Sequence, residues 1–132
     1  MNIYMYIILI YYTLIDIMLY IYICISGSPY WMAPEVMTQN TYDGKADIWS
    51  LGITCLEMIT GFPPYHTIHP LKLITLIPRQ PSPKLPDGYS IEFNEFVSRC
   101  LQKDPNQRPT IKDLLKMPFI QNAGKISELA QS

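Results

Sequence analysis

Residues 45–61, KADIWSLGITCLEMITG, restrict the fold of this chain more than any other stretch. Wound at about 3.6 residues per turn, the side chains of Ile48, Trp49, Leu51, Ile53, Cys55, Leu56, Met58 and Ile59 cover most of the circumference instead of one stripe. A helix apolar nearly all round belongs inside a core, with other elements packed on several of its sides. Asp43 or Gly44 leads into it, and Gly61 with Pro63 and Pro64 stops it. Asp47 stands near its start, where a carboxylate accepts backbone N–H bonds and answers the helix dipole.

At 132 residues the chain is long enough for one domain with a real core. A formal net charge of −1 supplies no basic field, so nucleic acid is not an expected partner. Three cysteines at wide spacing fit neither a disulfide framework nor a zinc site. Cys55 and Cys100 fall on apolar helix faces, as small core residues in a reducing compartment do. Residues 1–25 differ from the rest: Ile, Tyr, Leu and Met dominate, and Asp16 is the sole charge. Their length and hydropathy qualify them as a membrane helix. Against that stand Asp16 near the centre, costing about 2.5–3.5 kcal/mol in a bilayer, tyrosines scattered along the run, and no preceding Lys or Arg. Three readings stay open for the segment: translated AT-rich non-coding sequence, a membrane span, or an apolar cover for an exposed core face.

At Ser26 the composition changes, and Ser26-Gly27-Ser28-Pro29-Tyr30-Trp31-Met32-Ala33-Pro34-Glu35-Val36 is the most specific run in the chain. Gly27 and Pro29 call for a turn or extended loop. Pro34 then opens a short helix through Met37. The result is a stiff loop presenting Tyr30, Trp31 and Met32, followed by a carboxylate placed to meet a cation. Further on, Pro70 starts a helical run through Ile77, a Pro- and Lys-rich loop follows, and Ser90 is a good N-cap. Phe93, Phe96, Val97, Cys100 and Leu101 trace one face of an amphipathic helix. Asp104-Pro105 makes a turn, and Thr110 with Asp113 caps a last helix carrying Ile111, Leu114 and Leu115, which stops at Met117-Pro118. Phe119 and Ile120 dock back on the core. Past Gln121 the chain turns polar, with one helical turn available at residues 126–130.

The run ending in Ala33-Pro34-Glu35 resembles the close of the activation segment in eukaryotic protein kinases. Asp47-Ile48-Trp49-Ser50-Leu51-Gly52 resembles the kinase F helix, Phe62-Pro63-Pro64-Tyr65 the proline turn after it, and residues 70–77 the G helix. With Ile68-His69-Pro70-Leu71-Lys72 and Gln107-Arg108-Pro109-Thr110, the closest likeness is to the sterile-twenty-related group, its germinal-centre and Hippo-type branches. The resemblance implies a mainly α fold: the C-terminal part of a kinase large lobe over residues 26–120, preceded by the apolar segment 1–25 and followed by a polar tail, 121–132. It implies serine/threonine specificity, because Gly27-Ser28 stands where tyrosine kinases carry Pro-Val-Lys or Pro-Val-Arg. Residues Gly27, Ser28, Pro29, Tyr30, Trp31 and Met32 would then bind the peptide substrate, with Ser28 bonded to the catalytic aspartate and residues 29–32 shaping the pocket for the residue after the phosphoacceptor. Glu35, Asp47 and Arg108 take structural roles on the same resemblance: Asp47 anchors the catalytic loop's backbone, and Glu35 pairs with Arg108. Each member of that pair is framed by proline, so pairing costs little entropy.

ATP and magnesium are the cofactors implied for the full-length family, but this chain carries no Gly-rich loop, strand lysine, His-Arg-Asp or Asp-Phe-Gly. No catalytic, cofactor-binding or metal-binding residue is therefore expected within it. His66 and His69 lack the carboxylates or cysteines of a metal site. The expected function is that of a serine/threonine kinase fragment, inactive by itself, from an incomplete or intron-retaining reading frame. Two alternatives are a docking module using the G-helix surface and the Lys72 to Lys84 region, and a lobe tethered to membrane by residues 1–25. Partners are protein substrates or regulators, and the family implies a cytoplasmic setting. With the catalytic-loop side missing, the central helix is expected to leave an apolar face uncovered and the body to be marginally stable.

Overall fold

A computed structural model describes residues 10, 11, 14, 29–39 and 43–123. Gly27, Ser28, most of the apolar segment 1–25 and the helical turn expected at 126–130 lie outside the described residues. The described residues are helical and contain no strand. In chain order the helices are α1 (Pro34–Gln39), α2 (Gly44–Thr60), α3 (Pro70–Leu76), α4 (Ile91–Cys100), α5 (Ile111–Leu115) and α6 (Pro118–Gln121). Single 3₁₀ turns at Pro29–Trp31 and Pro105–Gln107 supplement them.

Local chemistry accounts for the boundaries. Asp43 caps α2, its side chain accepting from Lys45 N at 2.9 Å. Gly61 closes α2 with φ of 87°, a left-handed cap that glycine adopts without strain, and its N–H reaches Glu57 O at 2.7 Å. His69 caps α3, with Nδ1 accepting from Leu71 N at 3.2 Å, while Ser90 caps α4. Thr110 and Asp113 form a reciprocal capping box on α5. Three expectations are adjusted. The short helix after Pro34 runs to Gln39, not Met37; residues 29–31 wind into a 3₁₀ turn within the expected loop; and Pro118 opens a further helix, α6, that carries Phe119 inward.

Helix α2 is the centre of the packing, lying against α4, the Pro29–Trp31 turn and the Pro105–Gln107 turn. Its contact with α4 is close at Gly52, where a Cβ would meet Leu101 Cδ2 at 2.7 Å and Cys100 Cβ at 2.9 Å. Only glycine permits that approach. Phe93, Phe96 and Phe119 stack at ring-centroid distances of 4.7 and 5.1 Å and join α6 to α4. One expectation about α2 is overturned. Every residue from Ile48 to Leu56 is buried, so this stretch leaves no apolar face uncovered. Ile10 belongs to the same buried cluster, and Leu14 packs against it.

Candidate functional site

The loop that the sequence marks for peptide binding sits on α2, held at three points. Ser50 Oγ, inside α2, donates to Trp31 O at 2.8 Å. About two helical turns further on, Trp31 Nε1 donates to the Glu57 carboxylate at 2.8 Å. From the other side, Tyr30 Oη donates to Ile68 O at 2.8 Å, just ahead of α3. The 3₁₀ turn closes on itself through Met32 N to Pro29 O at 3.1 Å. Tyr30 and Trp31 meet edge to face with centroids 6.0 Å apart. Pro29 is buried, while Tyr30, Trp31 and Met32 are half-buried, so the loop has one face against the helices and one toward solvent.

Behind the loop, Pro34 and the first turn of α1 deliver Glu35 to the interior at 8% exposure. Arg108, held extended at φ −73° and ψ 140° after the Pro105–Gln107 turn, meets it from below. The two form a bidentate pair, Nη1 to Oε1 at 2.6 Å and Nη2 to Oε2 at 2.7 Å. The guanidinium's other three N–H groups go to the carbonyls of Gln102, Lys45 and Lys103 at 2.6, 2.9 and 3.2 Å. All five donors are thus used, which is what a guanidinium 2% exposed needs to offset its desolvation. Its carbon lies 5.2 Å from the ring centroid of Trp49, a cation–π contact. Lys45 Nζ returns the favour by donating to the Arg108 carbonyl. Trp49 Nε1 itself is buried with no hydrogen-bond partner among the described residues.

Asp47 occupies the first turn of α2 and is half-buried. It sits apart in role from the loop tethers: the structure brings Glu35, Arg108 and Trp49 together and hangs residues 29–32 from α2. Glu57, Ser50 and Lys45 are the functional side chains that sequence reasoning passed over. Glu57 had a signal: a carboxylate on a helix otherwise apolar around this region needs a donor, and Trp31 supplies it. Ser50 and Lys45 had none, since their partners lie 19 and 63 residues away.

The two histidines and the described cysteines stand apart from this site. His66 stacks on Phe62 at 4.4 Å, and His69 is engaged as a cap, so the two histidines serve separate local ends. Among the described residues no three His, Cys, Asp or Glu side chains converge to hold a metal. Burial pushes the Cys55 thiol up to about 12 and raises Cys100 too, keeping both protonated and unreactive.

The family described as protein kinase domain matches residues 22–120. The chain belongs to the protein kinase family. Its kinase match begins at Tyr22, ahead of the change in composition at Ser26, and ends at the docked Ile120. Serine/threonine-protein kinase dst1 of Dictyostelium discoideum is 54% identical over 106 residues, 79% of this chain and 14% of that protein. Serine/threonine-protein kinase sid1 of Schizosaccharomyces pombe is 50% identical over 103 residues, 78% of this chain and 22% of that one. Serine/threonine-protein kinase hippo of Drosophila melanogaster is 54% identical over 99 residues, 74% and 15%. These relatives carry the sterile-twenty-related assignment that the motifs implied. The chain spans between 14% and 22% of the length of these curated relatives. What it shares with them is the helical part of the kinase large lobe, from the end of the activation segment to the last helices. Among the described residues no helix is long and apolar enough to cross a membrane.

Proposed function

We propose that this kinase-domain part supplies the peptide-substrate shelf of a serine/threonine protein kinase, with residues Gly27, Ser28, Pro29, Tyr30, Trp31 and Met32 as the shelf. The observation that carries this reading is the three-point suspension of Tyr30 and Trp31 from Ile68, Glu57 and Ser50. A loop ordered before its ligand arrives loses less entropy on binding, so an extended peptide gains affinity there without refolding the site. The Glu35–Arg108 clamp holds the loop's far end to the lobe floor. Asp47, by the same family argument, would receive the backbone of a catalytic loop.

In the full-length family ATP and magnesium supply the phosphoryl group and neutralise its charge. The residues of this chain do not fit either cofactor: it has no Gly-rich loop, no His-Arg-Asp and no Asp-Phe-Gly, and its histidines are otherwise engaged. No transfer step is therefore assigned to the chain by itself. Protein partners are the class that suits the surface, since α3 leaves Leu71 at 71% and Ile74 at 42% exposure beside the shelf. Protonated, buried Cys55 and Cys100 are consistent with a reducing, cytoplasmic setting.

The test is fluorescence polarisation on the full chain with labelled serine peptides that differ only in the residue after the serine. Binding should discriminate among residues at that position, and Trp31→Ala should flatten the discrimination. ATP should leave the signal unchanged, and calorimetry should find no saturable nucleotide binding. Peptide binding indifferent to that position, or unaltered by Trp31→Ala, would overturn the shelf; micromolar ATP binding would overturn the division of labour.

A further inference from the structure

We propose that Ser82 is a phosphorylation site for a separate, proline-directed serine/threonine kinase, presented on the proline-rich loop between α3 and α4. The chain has two Ser-Pro pairs, Ser28-Pro29 and Ser82-Pro83. Pro29 is buried within the 3₁₀ turn of the shelf, which closes it to an enzyme that must grasp the residue after the acceptor. Ser82 and Pro83 are only half-buried, and residues 81–86 carry no helix, strand or turn. The prolines at 81, 83 and 86 fix φ near about −65° at their own positions and push the residue before each toward extended backbone. Pro83 therefore holds Ser82 in the extended form in which a peptide lies along a kinase's substrate shelf. The Ser82 hydroxyl is engaged by no other group among the described residues.

The loop is open to solvent yet anchored on both sides of Ser82. Leu85 packs against the core. Lys103, just past α4, donates from Nζ to Pro78 O at 2.5 Å and to Gln80 O at 2.8 Å. Those two bonds leave one of the ammonium's three donors uncommitted among the described residues. Two residues span at most about 7 Å, so a phosphate on Ser82 comes within reach of the group that holds Gln80. Arg79 and Lys84 flank the same serine, with Asp87 as the loop's one carboxylate. In the transfer, the bond from the γ-phosphorus of ATP to ADP breaks and a bond to Ser82 Oγ forms. The hydroxyl proton passes to the modifying kinase's catalytic base, and ADP leaves. A group of about −1.5 to −2 charge set among Arg79, Lys84 and Lys103 gains charge-assisted hydrogen bonds, so the modification tightens the loop against the end of α4.

The full chain is incubated with magnesium-ATP and a recombinant cyclin-dependent kinase with its cyclin, an enzyme of the proline-directed class, and the product is read by intact and tandem mass spectrometry. Phosphate should enter on Ser82. Ser82→Ala should abolish that incorporation, and Pro83→Ala should slow it at least about tenfold. The phosphorylated chain should melt about 2 °C or more above the unmodified one by circular dichroism. In Lys103→Met, compared with and without phosphate on the same variant, that rise should shrink by at least about half. A folded chain left without phosphate on Ser82, or incorporation there at the same rate in Pro83→Ala, overturns the site. A melting midpoint that fails to rise on phosphorylation, or a rise undiminished in Lys103→Met, overturns the tightening.

Discussion

Replacing Arg108 by alanine should unfold much of this lobe, and the structure says by how much. Glu35, 8% exposed, would lose the guanidinium that holds both its oxygens at 2.6 and 2.7 Å. Leaving one member of a buried pair uncompensated costs about 3–5 kcal/mol. The three carbonyls that also lose a donor belong to Lys45, Gln102 and Lys103, all half-buried, so water can reach them and adds little to that cost. Against a typical domain stability of about 5–15 kcal/mol, the loss is a large fraction of the whole. Urea denaturation of the full chain at pH 7, followed by circular dichroism, reads it directly as a fall in midpoint of about 2 M for a slope near 2 kcal/mol/M.

The single change cannot separate pairing from packing, because the guanidinium also lies on Trp49. A cycle with Glu35→Gln and Arg108→Met can. Methionine keeps much of the volume over Trp49, and glutamine keeps the shape of the carboxylate. If the bidentate pair is the active element, the double variant should recover at least about 2 kcal/mol relative to the sum of the singles. Arg108→Lys should remain clearly destabilised, since an ammonium has three donors for five acceptors and no planar fork. Additive costs around the cycle, or a lysine variant as stable as wild type, would refute the reasoning.

Gly52→Ala should destabilise by about 1–3 kcal/mol in the same assay, because its Cβ would lie 2.7 Å from Leu101 Cδ2; Gly44→Ala, with nothing within 4 Å, should change stability by no more than about 0.5 kcal/mol. Cys55 and Cys100 should resist maleimide in the folded chain at pH 8 and react once urea unfolds it, since burial holds both thiols protonated; rapid labelling without unfolding would contradict their placement. The hydrogen bonds from Thr110 N–H and Oγ hold the Asp113 carboxyl below its ordinary range. Its folded-state value lies below the unfolded one, so the cap's contribution is complete above the unfolded value and is lost as pH falls through the folded one. Asp113→Asn should therefore lower the melting midpoint at pH 7 and make progressively less difference as the pH falls through the folded-state value; an effect that does not shrink with falling pH would mean that the charge does not matter.

The helices and their ends were legible in sequence because capping is local. Asp43, Gly61, Ser90 and the Thr110–Asp113 box all act within a turn of where they stand. The core role of α2 was legible for a different reason: apolar side chains all round a helix admit one kind of environment. The Glu35–Arg108 pairing was within reach because proline stiffens both approaches and because the kinase resemblance joined two positions 73 residues apart. What could not be read was the covering of α2. The sequence shows that it needs covering, and the kinase resemblance makes a catalytic-loop segment the natural cover. It does not show that Ile10, in a segment whose hydropathy suits a bilayer equally well, enters the cluster. Hydropathy ranks a residue's preference for leaving water and is silent about which apolar partner receives it.

Residues 29–32 are held by groups that lie within residues 29–123, supplied by α2 and by Ile68, and the clamp behind them is closed by Arg108, also within that range. None of these tethers calls on a nucleotide lobe or a catalytic loop. The two sets also fail differently. Of the three tethers described, the one from Trp31 goes to a charged group, Glu57, so removing one loosens the loop by about 1–3 kcal/mol while the lobe stays folded. The clamp is buried and ionic, so losing one partner unfolds the floor on which the shelf stands. Peptide binding and global stability should therefore separate: Tyr30→Phe, which removes only the bond to Ile68 O, should weaken peptide discrimination with little change in melting, whereas Arg108 variants should lose both together. A Tyr30→Phe chain that melts as low as Arg108→Lys would place the shelf inside the cooperative core, and the separation drawn here between site and floor would fall.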